Sequence, residues 1–196
     1  MNAMQTGQDA AYKLLTTRFG EIEVRPSDIV TLPEGLLGFN LFRRYIVLED
    51  PEQAPFLWLQ SVDEPDLAFV IVDPFLFFPG YEVQVKPQEL SSVQVEDIAK
   101  AKILTIVTIP PNPMELTANL RGPLVFNVEA KLAKQLVLID DRYNTKHSLL
   151  KDIPPYLASP PEKKSGEKIN RNHGNEKNDR STSDEHSPKE AGIAGD

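Results

Sequence analysis

The feature that most constrains this chain is a recurrence of short apolar runs, each closed by proline, glycine or an acidic pair. "RFGEIEV" (Arg18 to Val24) alternates Phe19, Ile22 and Val24 with charged residues, and "DIVTL" follows Pro26. "RYIVLED" (Arg44 to Asp50) stops at Pro51, and "PFLWLQS" (Pro55 to Ser61) runs into the acidic turn "VDEPD". "LAFVIVDP" (Leu67 to Pro74) is almost wholly apolar, which predicts a strand covered on both faces. "YEVQVKP" (Tyr81 to Pro87) alternates with period two, "ILTIVTIP" (Ile103 to Pro110) is rich in β-branched residues, and "PLVFNVEA" with "KQLVLID" forms a candidate final pair. Period-two runs with a turn signal about every 8–12 residues specify an all-β domain. The expected fold is therefore mainly β: a small compact antiparallel β-barrel or sandwich with one or two short helices.

Two stretches read otherwise. "PEGLLGF" (Pro33 to Phe39) is a glycine-punctuated loop or a single helical turn. "KPQELSSVQVEDIAKAK" (Lys86 to Lys102) is the best helical region, with Pro87 placed to open a first turn and Val95, Ile98 and Ala99 on one face. The ends differ from the middle. Residues 1–14 read as a flexible N-terminal segment, 15–150 as the β domain, and 151–196 as a Pro-rich and then polar, charged tail. From Ser159 onward there is no aromatic residue, and Ile169 and Ile193 are its branched aliphatics, so this segment is expected to be disordered.

The formal charge is −8, and its excess of acid sits in the body rather than the tail. This argues against direct nucleic-acid binding, which relies on Lys and Arg against phosphate. The chain has no cysteine, which excludes disulfides, thiol nucleophiles and thiolate-bound zinc. No apolar run approaches the roughly 20 residues of a membrane span, and the N-terminus lacks a secretory pattern. A cytoplasmic protein without a membrane partner is expected.

Catalytic signals are thin. His147, in "NTKHSLL", is the histidine of the body and reads as a solvated surface residue, although a Ser or Thr could pair with it. The carboxylate groups Glu49/Asp50, Asp63/Glu64/Asp66 and Asp140/Asp141 each follow an apolar run, as solvated turns do; a hydrolase would need them to converge. Trp58 would serve a carbohydrate site only if exposed. No phosphate loop, metal set or cofactor is indicated. The loop "DPFLFFPGY" carries Phe75, Phe77, Phe78 and Tyr81, either as a cap on the core or as an apolar patch for a partner. "MELTANLRGPLVFNV" sets Thr117 and Asn119 on one side of a strand and Ala118 and Leu120 on the other. Asn119 either bonds a neighbouring loop's backbone or faces a partner.

"FGEIEV", "LPEGLLGF", "PFLWLQSVDEPDLAFVIVDP" and "LTANLRGPLVFNV", in this order and spacing, resemble the flagellar assembly factor FliW family over roughly residues 15–150. The chain departs from the family pattern at Leu37, where proline is usual, and at Leu116, where methionine is usual, with Met114 two residues earlier. The resemblance implies a bacterial, cytoplasmic, non-enzymatic β-barrel. It implies two mutually exclusive partners, flagellin and the RNA-binding translational repressor CsrA (carbon storage regulator), the latter antagonised allosterically. On this reading the partner-binding candidates are Glu21, Glu34 and Glu49, the loop residues Phe75, Phe77, Phe78 and Tyr81, and Met114, Thr117 and Asn119.

Overall fold

The computed structural model describes residues 10–150. The expected tail, 151–196, lies outside the described residues. The expected flexible segment 1–14 reaches into the first strand: β1 (Tyr12–Thr16) pairs antiparallel with β2 (Gly20–Val24), and Leu14 lies opposite Ile22. The β domain therefore begins before residue 15, because Tyr12, Lys13 and Leu14 already have ladder partners.

The remaining strands are β3 (Val30–Thr31), β4 (Arg44–Glu49), β5 (Leu57–Ser61), β6 (Ala68–Val72), β7 (Lys102–Thr108), β8 (Thr117–Ala118), β9 (Leu124–Asn127), β10 (Leu132–Gln135) and β11 (His147–Ser148). Seven of them close into a barrel in the order β7-β6-β5-β4-β3-β10-β9, with β9 returning to β7. Every pairing is antiparallel except β3 with β10. Beyond Leu104 the same edge of β7 passes from β9 to β8, and β11 extends the sheet from there.

Period two along each strand sorts the core into an inside and an outside. Tyr45, Leu59, Ile71, Leu104 and Leu124 fill the barrel interior. Their neighbours Trp58, Val70, Val72, Ile103 and Val125 point outward, yet are buried beneath the segments that carry Tyr81, Leu90, Val93, Leu136, Leu138 and Tyr143. This double cover explains why "LAFVIVDP" has no polar face. The β1–β2 hairpin lays Leu14, Ile22 and Val24 on the outward side chains of β4, Ile46 and Leu48.

Three sequence expectations are corrected. Lys86 to Lys102 is not an α-helix. A 3-10 turn spans Pro87–Val93 and ends at Gln94 in the left-handed region (φ 56°), and a second spans Ile98–Lys100, capped by the Asp97 carboxylate. The three-residue period brings Leu90 and Val93 to one side, where both are buried. "YEVQVKP" joins no ladder, although its burial alternates residue by residue, and "KQLVLID" leaves the ladder after Gln135. His147 is not a solvated surface residue. Strand β11 sets it opposite Ala118, half-buried, with its ring edge-on to Phe78 at 5.0 Å and its Nδ1 buried without a partner among the described residues.

Candidate interaction surface

The acidic turns are occupied locally. Asp50 accepts from the Glu52 N–H, Asp73 from the Phe75 N–H and Asp97 from the Ala99 N–H, each opening a 3-10 turn. Asp63 accepts from the N–H groups of Arg43 and Arg44 at 2.7 and 2.9 Å and from Arg44 Nε at 2.7 Å. Burial pushes its carboxyl up, but these bonds outweigh burial and hold it below the usual value. Behind it the buried Gln60 amide donates to the carbonyls of Ser61, Pro65 and Leu67, fixing the turn from inside. Arg142 ties Asp140 to Glu82 at 2.8 and 2.9 Å, and its bonds hold both carboxyls low. Among the described residues no group of three or more His, Asp or Glu is placed to hold a metal ion.

Trp58 is buried. Its Nε1–H donates to Gln53 Oε1 at 3.1 Å, Phe19 meets its ring edge-on, and the Arg18 guanidinium lies 4.3 Å from the ring centroid. An open stacking platform for sugar is therefore absent at this residue.

The aromatic loop and the "TAN" strand are brought together in the interior. Tyr81 is buried, donates its hydroxyl to the Leu120 carbonyl at 2.7 Å, and meets Tyr143 edge-on at 4.7 Å. Phe77 is buried and stacks on Phe56, and Phe78 is half-buried against His147. Phe77 and Tyr81 are thus removed from the surface; the loop caps the core, and Phe75 is the member left exposed, at 43%. Met114 is 72% exposed in the turn before β8, and Thr117 is half-buried.

Asn119 differs from expectation. Its backbone does the bonding: the N–H donates to Ile106 at 2.8 Å, and the carbonyl accepts from the Thr105 hydroxyl at 2.5 Å and from the Gly122 N–H at 3.3 Å. The side-chain Oδ1 is buried and has no partner among the described residues, so it does not bond a neighbouring loop.

The three glutamates are all exposed but differ in pairing. Glu21 pairs with Lys13 at 2.7 Å. Glu34 pairs with Lys134 at 2.7 Å and accepts from Ser92 Oγ at 2.9 Å, and these bonds, the lysine's first, hold its carboxyl below the usual range. Glu49 has no ion pair among the described residues. It stands at the rim of a hollow of about 330 Å³ at one end of the barrel, whose walls include Val30, Val47, Leu57, Leu104 and Phe126. Sequence reasoning missed several apolar side chains that are open to solvent: Ile139 at 98%, Leu41 at 82%, Leu15 at 74%, and Leu37 and Val137. For Val137 and Ile139 the signal was present, because period two in "LVLI" must send alternate residues outward.

The profile of the family described as FliW protein matches residues 13–149. A flagellar assembly factor FliW of Alkaliphilus metalliredigens is 43% identical over 141 residues, covering 71% of this chain and 87% of that protein. One from Geobacter sulfurreducens is 44% identical over 132 residues, covering 67% and 82%. A crystal structure of the flagellar assembly factor FliW superposes with a TM-score of 0.66 at 36% identity, covering 70% of this chain and 96% of the other.

Proposed function

The chain belongs to the FliW family of flagellar assembly factors, and from that premise we propose that it is a non-enzymatic cytoplasmic switch with two competing protein partners. It binds flagellin as a chaperone until export. When flagellin leaves, it binds CsrA and relieves repression of flagellin translation without occupying the RNA site. The observation that carries this reading is the extent of the family match, which spans the whole barrel from residue 13 to residue 149. Two features of the surface support it. One member of each acidic group, Asp50, Asp63 and Asp140, serves as a turn cap or ion pair. The excess acid, with Glu49 unpaired among the described residues, steers a basic RNA-binding protein toward the barrel and repels phosphate near it.

The test is a titration of the preformed complex between this chain and CsrA with monomeric flagellin. Release of CsrA at stoichiometric flagellin is expected. CsrA that stays bound at saturating flagellin refutes the switch.

A further inference from the structure

Two stretches with strand-forming sequences stand beside each other without a strand between them. The first is Tyr81–Lys86, where burial alternates: Tyr81, Val83 and Val85 turn inward, and Glu82, Gln84 and Lys86 outward. The second is Leu136–Ile139, where Leu136 and Leu138 are buried while Val137 is 58% and Ile139 is 98% exposed. Both line one open hollow of about 350 Å³, with Gln84, Val85 and Lys86 on one wall and Val137 and Ile139 on the other.

The backbone along this hollow is paired on one side only. Leu136 and Leu138 send their N–H groups to the carbonyls of Pro123 and Arg121 at 2.8 and 2.9 Å. Backbone groups alternate in direction along an extended chain. Val137 and Ile139 therefore turn theirs to the opposite edge, where they have no backbone partner among the described residues. The N–H groups of Val83, Gln84 and Val85 also lack one. An edge that offers a free ladder together with outward apolar side chains is a template for strand addition.

We infer that this slot is a strand-addition site. It takes one extended, predominantly apolar segment of a protein partner, carrying Lys or Arg at its ends. The backbone on both walls calls for a strand, and Val137 and Ile139 call for apolar cross-strand neighbours. The charges at the slot select the ends: Lys86 and Glu89 line it, and beside them Glu82 and Asp140 share the single guanidinium of Arg142, which leaves acid in excess. A second copy of this chain would bring the same acidic excess, so self-pairing is disfavoured. The inference rests on the protein-binding function proposed above and names where one partner engages.

The experiment is amide hydrogen exchange on the full chain, free and saturated with monomeric flagellin or with CsrA, alongside two variants. In one of the two complexes the amides of Val137 and Ile139 are expected to become protected. Val137→Thr/Ile139→Thr removes the apolar neighbours, and Ile139→Pro removes one backbone donor. Each is expected to weaken that partner by about tenfold, and the other partner less. Because both side chains are exposed, the thermal midpoint of the threonine variant is expected to stay unchanged, which keeps a loss of binding interpretable. A wild-type chain that binds neither protein overturns the proposed function together with this site. A chain that binds while these amides exchange at their free rates in both complexes overturns strand addition alone. Loss in the threonine variant with Ile139→Pro unaffected would reduce the slot to a side-chain patch and likewise overturn it.

Discussion

Tyr81→Phe removes one oxygen atom and tests how the aromatic loop is fastened to the strand beneath it. The hydroxyl is buried and donates to the Leu120 carbonyl at 2.7 Å. Burial first, and then Tyr143, raise its pKa, so it is a neutral donor at any working pH. No other hydrogen bond to that carbonyl is found among the described residues, so the phenylalanine leaves an acceptor buried and unsatisfied. Such a group costs about 1–3 kcal/mol, against about 1 kcal/mol for an ordinary exchange of a bond with water. For a domain of this size the loss corresponds to a fall of about 3–10 °C in the unfolding midpoint. Tyr143→Phe is the control, because its hydroxyl accepts from the Glu82 N–H at 2.9 Å at a part-buried site where water can substitute. It should cost less than about 1 kcal/mol. Chemical denaturation of both variants measures the two values. A Tyr81→Phe protein as stable as wild type, or less affected than Tyr143→Phe, would show that the loop is held by packing alone.

Gly35→Ala should destabilise by about 2–4 kcal/mol, since Gly35 has φ +68° and a Cβ would lie 2.6 Å from Asn40 Cα. Gly38→Ala, also at positive φ but in open space, should cost only the strain of about 1–2 kcal/mol; equal losses would remove the close approach from the argument. Asn119→Ala should change stability by less than about 1 kcal/mol, because its buried Oδ1 has no partner among the described residues, whereas Thr105→Val should cost about 1–2 kcal/mol by taking a donor from the Asn119 carbonyl; the reverse order in urea melts would contradict this assignment. Asp63 has a folded-state pKa below its ordinary 3.8. Its contribution is therefore fully present above the unfolded value and is lost as pH falls through the folded one. Asp63→Asn should flatten the loss of stability below about pH 4, and an unchanged acid limb of the midpoint–pH curve would contradict it.

The strands that were legible in the sequence are those whose burial is independent of distant choices. Residues 44–50 and 67–74 are apolar on successive positions because one set fills the barrel and the other lies under an outer cover. That pattern survives any topology. Residues 86–102 are helical as two short 3-10 turns rather than one longer helix: Pro87 opens the first as expected, but Val95, Ile98 and Ala99 do not share one helix, because the first turn ends at Gln94. The local sequence, with Ser91 and Ser92 between Leu90 and Val93 and Gln94 at positive φ, settles for the shorter turn. The parallel step from β3 to β10 was not legible, since it joins Thr31 to Leu132, about half the chain apart.

Much the same limit applied to the candidate surface. Acidity was legible, but pairing was not: Glu34 is neutralised by Lys134, which lies far along the chain, while Glu49 has no ion pair among the described residues. The aromatic loop showed its apolar content and not which rings the fold would absorb, since burial of Phe77 and Tyr81 depends on Phe56 and Leu120 arriving from elsewhere. The failures at 81–87 and 134–140 are of another kind. There the local pattern calls for strands and burial alternates accordingly, but no ladder forms on the side that faces the hollow. A natural sequence is consistent across levels except where function intervenes. Two such exceptions in unrelated parts of the chain, meeting at one hollow, favour a missing strand over two separate accidents of packing.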